Sequence, residues 1–154
     1  TLPQPEIVEV VPVTTAVVRA EVAMAEMQAF FDRTFTTLGE VLATDDAGPT
    51  GAAFALYHRP LTDSAQLEVG FPTDRPVQPR DGVEVGALPG GRVARLVHEG
   101  GFDGLGASWE RLVGWAEEQG LTLGPDFWEV YVTEPSPDMD PADLRTELNW
   151  TITG

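Results

Sequence analysis

Apolar residues along the chain follow two periods, two and roughly three and a half, and each change of period predicts a change of element. Phe127 to Val132 is aromatic and β-branched with alternating sides, the pattern of a half-buried strand. Trp128, Val130 and Val132 fall on one face of it, and Phe127, Glu129 and Tyr131 on the other. The closing stretch alternates likewise, with Thr146, Leu148, Trp150 and Ile152 opposed to Arg145, Glu147, Asn149 and Thr151. With the apolar faces of the two strands paired, Glu129 and Glu147 are expected to share a face with Phe127 and Tyr131. An ordinary solvated sheet face carrying two surface glutamates fits the same pattern.

Earlier in the chain, Glu6 to Val11 reads as a strand, Pro12 interrupts it, and Val13 to Arg19 resumes it. Met24, Met27, Phe31, Phe35, Leu38 and Leu42 then recur at helical spacing, ended by the Asp45 to Pro49 cluster. Ala53 to His58 is a short strand closed by Pro60, with Gln66 to Phe71 as its hairpin partner. Asp74 to Gly82, containing Pro76 and Pro79, is a connector too short to separate two domains.

After the connector the order repeats. Val83-Glu84-Val85 echoes Val8-Glu9-Val10, and Pro89 stands where Pro12 stood. Arg92 to Val97 resumes the strand, Leu105, Trp109, Leu112, Val113 and Ala116 mark a second helix, and Gly120 is placed to cap it. The strand from Phe127 answers Phe54 to His58, Pro135 answers Pro60, and Glu147 to Trp150 answers Glu68 to Phe71. The expectation is one α+β domain over 1–154, made of strand–helix–strand–strand copies at about 5–73 and 83–153. Pseudo-twofold symmetry would give an antiparallel or mixed sheet, helices on one face and a ligand groove on the other.

Composition narrows the partners. Asp and Glu number 25 against 9 basic residues, all Arg, for a formal charge of −16. Such a surface repels phosphate backbones, so direct DNA or RNA binding is not expected. No apolar run approaches the ~20 residues that span a bilayer, no signal-like segment opens the chain, and cysteine is absent. A cytoplasmic location without membrane attachment is the expectation.

Dedicated chemical motifs are missing. His58 and His98 lack zinc-ligand spacing, and no Gly-x-Ser-x-Gly elbow occurs. The glycines from Gly100 to Gly106 break the dinucleotide pattern at Trp109. Asp138, Asp140 and Asp143 lack the calcium-loop glycine and glutamate, and Asp140-Pro141 instead reads as a helix cap. No cofactor or metal is expected. What remains is Glu129, Glu147 and Glu68 beside Tyr131, Phe127 and Tyr57, with small Ala55 and polar Asn149 nearby. Carboxylates beside aromatic rings suit a lipophilic cation. The same groups, with a pKa raised by burial, suit acid–base work.

The stretch His98-Glu99-Gly100, Phe102, Leu105, Trp109, Leu112, Trp115, Gly120 and Gly124-Pro125 resembles the GyrI-like effector-binding domain. So do Glu129-Val130-Tyr131 through Pro135, Arg145 to Leu148, Val10-Val11-Pro12 and the strand from Phe54. The resemblance implies a doubled strand–helix–strand–strand fold and a central groove for bulky lipophilic cations. It implies Glu129 as the groove acid, with Tyr131 beside it and Glu147 on the adjacent strand. Relatives of this kind are ligand domains of multidrug-responsive activators or stand-alone proteins. Some of the latter hydrolyse cyclopropane-containing genotoxins, which implies catalytic roles for Glu129, Glu147 and Tyr57. No helix-turn-helix accompanies the chain, so it is expected to be stand-alone or to work with a DNA-binding module. Trp150 replaces a smaller apolar residue and is expected either to narrow the groove or to fill the core.

Overall fold

Pro12 cannot donate to a sheet ladder, and the chain breaks there between β1 (Glu6–Val10) and β2 (Val13–Ala23). The computed structural model describes residues 4–44, 49–59, 62–133 and 138–153. After β2, a 3-10 turn at Met24–Glu26 leads into α1 (Met27–Thr44), so the helix starts one turn later than the Met24 periodicity predicts. β3 (Phe54–Tyr57), β4 (Ser64–Pro72), β5 (Glu84–Leu88) and β6 (Gly91–Glu99) follow. Then come α2 (Leu105–Glu118), β7 (Thr122–Val130) and β8 (Arg145–Thr153). Gly120 follows α2 with a φ of 72°, a conformation glycine adopts without Cβ strain, as a helix stop requires. Asp140 accepts from the Ala142 amide ahead of Pro141, the expected cap, over a 3-10 turn. The Asp45 to Gly48 stop, Pro60 and Pro135 lie outside the described residues.

All eight strands form one sheet in the order β1-β6-β8-β7-β3-β4-β2-β5. Every strand pair in it is antiparallel, which settles the antiparallel-or-mixed expectation. Exchanging β1 with β5, β2 with β6, β3 with β7 and β4 with β8 returns the same order read backwards. The short edge strands cross over: β1 pairs with β6, and β5 pairs with β2. Their connections meet closely, since a Cβ on Gly90 would fall 2.5 Å from Pro12 Cδ.

The two faces of the sheet have different cores. On one, Phe30, Leu38 and Leu42 of α1 pack over Leu67, Val69 and Ala16, and Leu112 of α2 packs over Leu96 and Leu148. On the other, Val8 and Leu88 from opposite edges join Val17, Phe54, Val93 and Trp128 in one cluster, so the sheet is curled. Each fully buried Leu or Phe contributes about 1.5–3 kcal/mol. Among the described residues no helix is long and apolar enough to cross a membrane.

Candidate functional site

β7 and β3 pair at the middle of the sheet, and their register decides which side chains meet. Ala55 lies across from Glu129, and Tyr57 across from Phe127. On the other side of β7, Leu148 lies across from Glu129 and Trp150 across from Phe127. Residues directly opposite share a face. Phe127, Glu129, Tyr57, Ala55 and Trp150 therefore project to the helix-bearing side, where Trp109 of α2 contacts Glu129, Phe127 and Trp150.

Glu129 is 8% exposed, and both its oxygens are engaged. Trp109 of α2 donates its indole N–H to Oε2 at 2.8 Å, and Tyr131 donates its hydroxyl to Oε1 at 3.0 Å. Burial raises the Glu129 pKa above its ordinary value; the Trp109 and Tyr131 hydrogen bonds and nearby His98 pull it back only partly. Tyr131 is also pushed up, by burial first and then by the Glu129 charge. The Tyr57 phenol is raised for the same two reasons. Among the described residues no Arg pairs with Glu129.

The rings around this carboxylate contact one another. Phe127 stacks on Trp150 at 4.4 Å and on Tyr57 at 5.1 Å between centroids. Trp109 meets Phe127 and Trp150 edge-on at 5.4 and 5.7 Å. Phe102, 43% exposed, sets its edge against Tyr131 at 6.0 Å. His98 ties the intervening loop down: its Nε2–H donates to the Gly101 carbonyl at 2.8 Å, and Nδ1 is hydrogen-bonded to Ser108 Oγ at 2.6 Å. Trp150 also donates to the Gly124 carbonyl at 2.7 Å and packs, partly buried, against the core cluster that holds Phe127.

The sequence-derived candidates separate into two groups. Glu129, Tyr131, Tyr57, Phe127 and Ala55 come together. Glu147, Asn149 and Glu68 do not, because they project from the opposite face. The expected common face for Glu129 and Glu147 is corrected by the register, in which Glu147 lies across from Val130. Strand β7 is bulky and apolar on both sides, so alternation did not determine which side joins Leu148 and Trp150. Glu129 and its rings project to the helix-bearing side of the sheet, away from the helix-free face on which the groove was expected.

On the opposite face the three polar residues have structural partners. Glu147 pairs with Arg95 at 3.2 Å, and Asn149 accepts from Arg95 Nε at 2.7 Å while donating to Glu147. Glu68 pairs with Arg19 at 3.4 Å and bonds His58, whose other nitrogen meets Asp126 at 3.0 Å. Trp109 and Phe102 were missed as site residues. Trp109 was legible only as a core position of α2, although a buried indole N–H requires an acceptor. No group of three or more His, Asp or Glu among the described residues is arranged to hold a metal ion. A surface depression lined by Val18, Phe30, Arg33, Thr34, Thr37 and Asp81 shares no residue with the Glu129 cluster.

The sequence profile described as GyrI-like small molecule binding domain matches residues 3–152. No curated protein matches the sequence. The fold is similar to the EcmrR C-terminal domain, with a TM-score of 0.83, 18% identity and 99% coverage of both chains. In an EcmrR–DNA complex the chain spans 57% of the EcmrR chain, covering 98% of its own length at a TM-score of 0.86 and 18% identity. SAV2435 bound to tetraphenylphosphonium is similar at a TM-score of 0.64 and 12% identity, over 98% of this chain and 94% of that one. A hydrolase encoded by lin2189 from Listeria innocua is similar at 0.66 and 12% identity, over 97% and 92%. At these identities the likeness to solved structures is one of fold.

Proposed function

The chain belongs to the GyrI-like small molecule binding domain family, and from that premise we propose that it binds bulky lipophilic organic cations at Glu129. The observation that carries this reading is a nearly buried carboxylate whose hydrogen-bond partners are both neutral. Taking a carboxylate out of water without a countercharge is costly. A cation placed against it offsets that cost, and the faces of Trp109, Trp150 and Tyr57 add attraction for positive charge. A neutral isostere gains the ring contacts alone. The fold likeness to EcmrR supports a role as the ligand domain of a DNA-binding regulator, fused or in partnership. The tetraphenylphosphonium complex of SAV2435 supports the ligand class.

Titration with tetraphenylphosphonium, set against the neutral tetraphenylmethane skeleton in a soluble form, tests the reading. Tight binding of the cation alone, lost in Glu129→Gln, is the expected result. Equal affinity for both compounds, or an unaffected variant, would sink it.

A second reading is a hydrolase that opens cyclopropanoid genotoxins, supported by the raised Glu129 pKa and the fold likeness to the lin2189 hydrolase. Glu129 takes a proton from water as its oxygen attacks a cyclopropane carbon. The strained C–C bond breaks, and its electron pair passes through the conjugated system to an oxygen hydrogen-bonded by Tyr131 or Tyr57, which is then protonated. Glu147 has no part in this, being on the other face. A base role requires a water and an electrophilic carbon placed in line at Glu129, whereas cation binding requires only the charge and the rings, so binding is the stronger reading. Ring-opened product detected by mass spectrometry would reverse that order.

A further inference from the structure

Thr146 is fully buried, and its hydroxyl has no hydrogen-bond partner. Buried polar groups are normally satisfied, so an orphan beside a candidate ligand site carries information. Thr146 lies across from His98 on β6, and two residues before Leu148, which lies across from Glu129. Thr146 and Glu129 are thus diagonal neighbours on the helix-bearing face, with Cα atoms about 7–8 Å apart. One ligand head group spans that distance.

The polar groups of His98 and of the Glu129 site are already committed. Both His98 nitrogens are bonded, to Ser108 and Gly101. The Tyr131 hydroxyl and the Trp109 indole both donate to Glu129. Each Glu129 oxygen already accepts one bond and keeps room for one more, and the unpartnered Thr146 hydroxyl adds a separate acceptor within reach of the same head group.

We propose that Thr146 is a second polar contact of the ligand site, and that the site selects protonated amines over quaternary onium ions of the same charge and bulk. The inference rests on the reading of Glu129 as a cation site and goes beyond it by naming the head group. Desolvation alone predicts the opposite order, because an ammonium N–H is costlier to remove from water than a methylated nitrogen. A preference for N–H that disappears when the Thr146 hydroxyl is removed is therefore the signature of an additional acceptor.

The experiment uses the whole chain and a methylation series on one ring system: desipramine, imipramine and quaternary N-methylimipramine. The series keeps the charge while N–H donors fall from two to none. In the wild type, affinity should fall along it by about ten-fold or more, the scale of one hydrogen bond to a charged group. Thr146→Val, which keeps the shape without the hydroxyl, should flatten the series and leave the quaternary member unchanged. Thr146→Ser should restore the gradient, separating the hydroxyl from any packing defect. A gradient that persists in Thr146→Val, or a wild type that binds all three equally, overturns the inference. Binding of tetraphenylphosphonium with no binding of the amines overturns it too, but leaves the cation reading intact. Full affinity for every cation in Glu129→Gln removes the cation reading itself and the inference with it.

Discussion

The Trp109 indole N–H donates to the Glu129 carboxylate at 2.8 Å, joining α2 to the central strand β7 through the least solvated charge of the site. Helix and acid depend on each other: the bond holds α2 over the aromatic cluster and stabilises an anion that burial disfavours. Trp109→Phe keeps an aromatic ring but removes the donor. At neutral pH it should lower stability by about 1.5–3 kcal/mol, the scale of a hydrogen bond to a charged group. That corresponds to roughly 3–12 °C in Tm for a chain of this size. Below the ordinary carboxylate range Glu129 is neutral in folded and unfolded chains alike, so a smaller loss should remain, that of a neutral hydrogen bond and packing. Calorimetry at the two pH values checks this. An equal loss at both would mean that the indole acts by packing alone.

The raised Glu129 pKa fixes the sign of a second prediction. A carboxyl that holds its proton more tightly when folded stabilises the fold fully below its unfolded pKa. That contribution is lost as pH rises through the higher folded value. Glu129 therefore contributes less to the stability of the ligand-free protein at neutral pH than at low pH. Glu129→Gln should raise Tm there and should match the wild type at low pH. The two Tm curves, measured from acid to neutral, should diverge as pH rises. A variant less stable than the wild type at neutral pH would show that the two donors outweigh desolvation.

How much of this was legible in the sequence depends on which residues carried the signal. Pro12, Pro89 and the alternating stretches placed the strands, because ladder-breaking and side-chain alternation are local properties. The crossing of β1 to β6 left no such mark, since it depends on a close approach of Gly90 to Pro12 across the fold. Glu129 and Tyr131 were legible as a pair because they sit two apart on one strand. The split between Glu129 and Glu147 was hidden by Phe127 and Trp128, which make both faces of β7 equally apolar. Only the helices, packing over Phe127, choose between them. The role of Trp109 was hidden for a related reason, since its spacing marks a buried position and says nothing about its N–H.

His58 gives a third prediction, on the other face. Partial burial lowers its pKa, but hydrogen bonds to Asp126 and Glu68, together with their charges, raise it on balance. A histidine raised on folding contributes stability that is complete below its unfolded pKa of about 6.5 and is lost as pH rises through the folded value. The stability difference between wild type and His58→Gln should therefore be largest on the acid side of neutrality and shrink above it. Because the side chain is 35% exposed, solvent screening keeps the effect modest, and added salt should reduce it. Urea titrations across pH at two salt concentrations would measure it. A difference that grows with pH would mean the imidazole is held neutral.

The register makes a last prediction, that neutralising the two glutamates has unlike consequences. Glu147 and Glu129 sit on adjacent strands, and alternation alone put them on one face. In the fold, Glu147 faces away from the aromatic cluster and contacts Arg95 and Asn149, with a quarter of its side chain exposed. A pair of this exposure contributes about 0–1 kcal/mol. Asn149, fully buried, keeps its bond from Arg95 whichever residue stands at 147. Glu147→Gln should therefore cost at most a few degrees in Tm and leave tetraphenylphosphonium affinity within about two-fold of the wild type, since a charge on the far side of the sheet is screened by the intervening core and by salt. Glu129→Gln should abolish the charge preference while leaving the fold intact. Glu68→Gln, also on the far face, should likewise leave tetraphenylphosphonium affinity within about two-fold, but should cost more stability, because Glu68 is buried and bonds both Arg19 and His58. Parallel titrations of the three variants decide the matter. If Glu147→Gln loses cation binding as fully as Glu129→Gln, the two carboxylates act on one ligand and the site cannot be confined to the helix-bearing face.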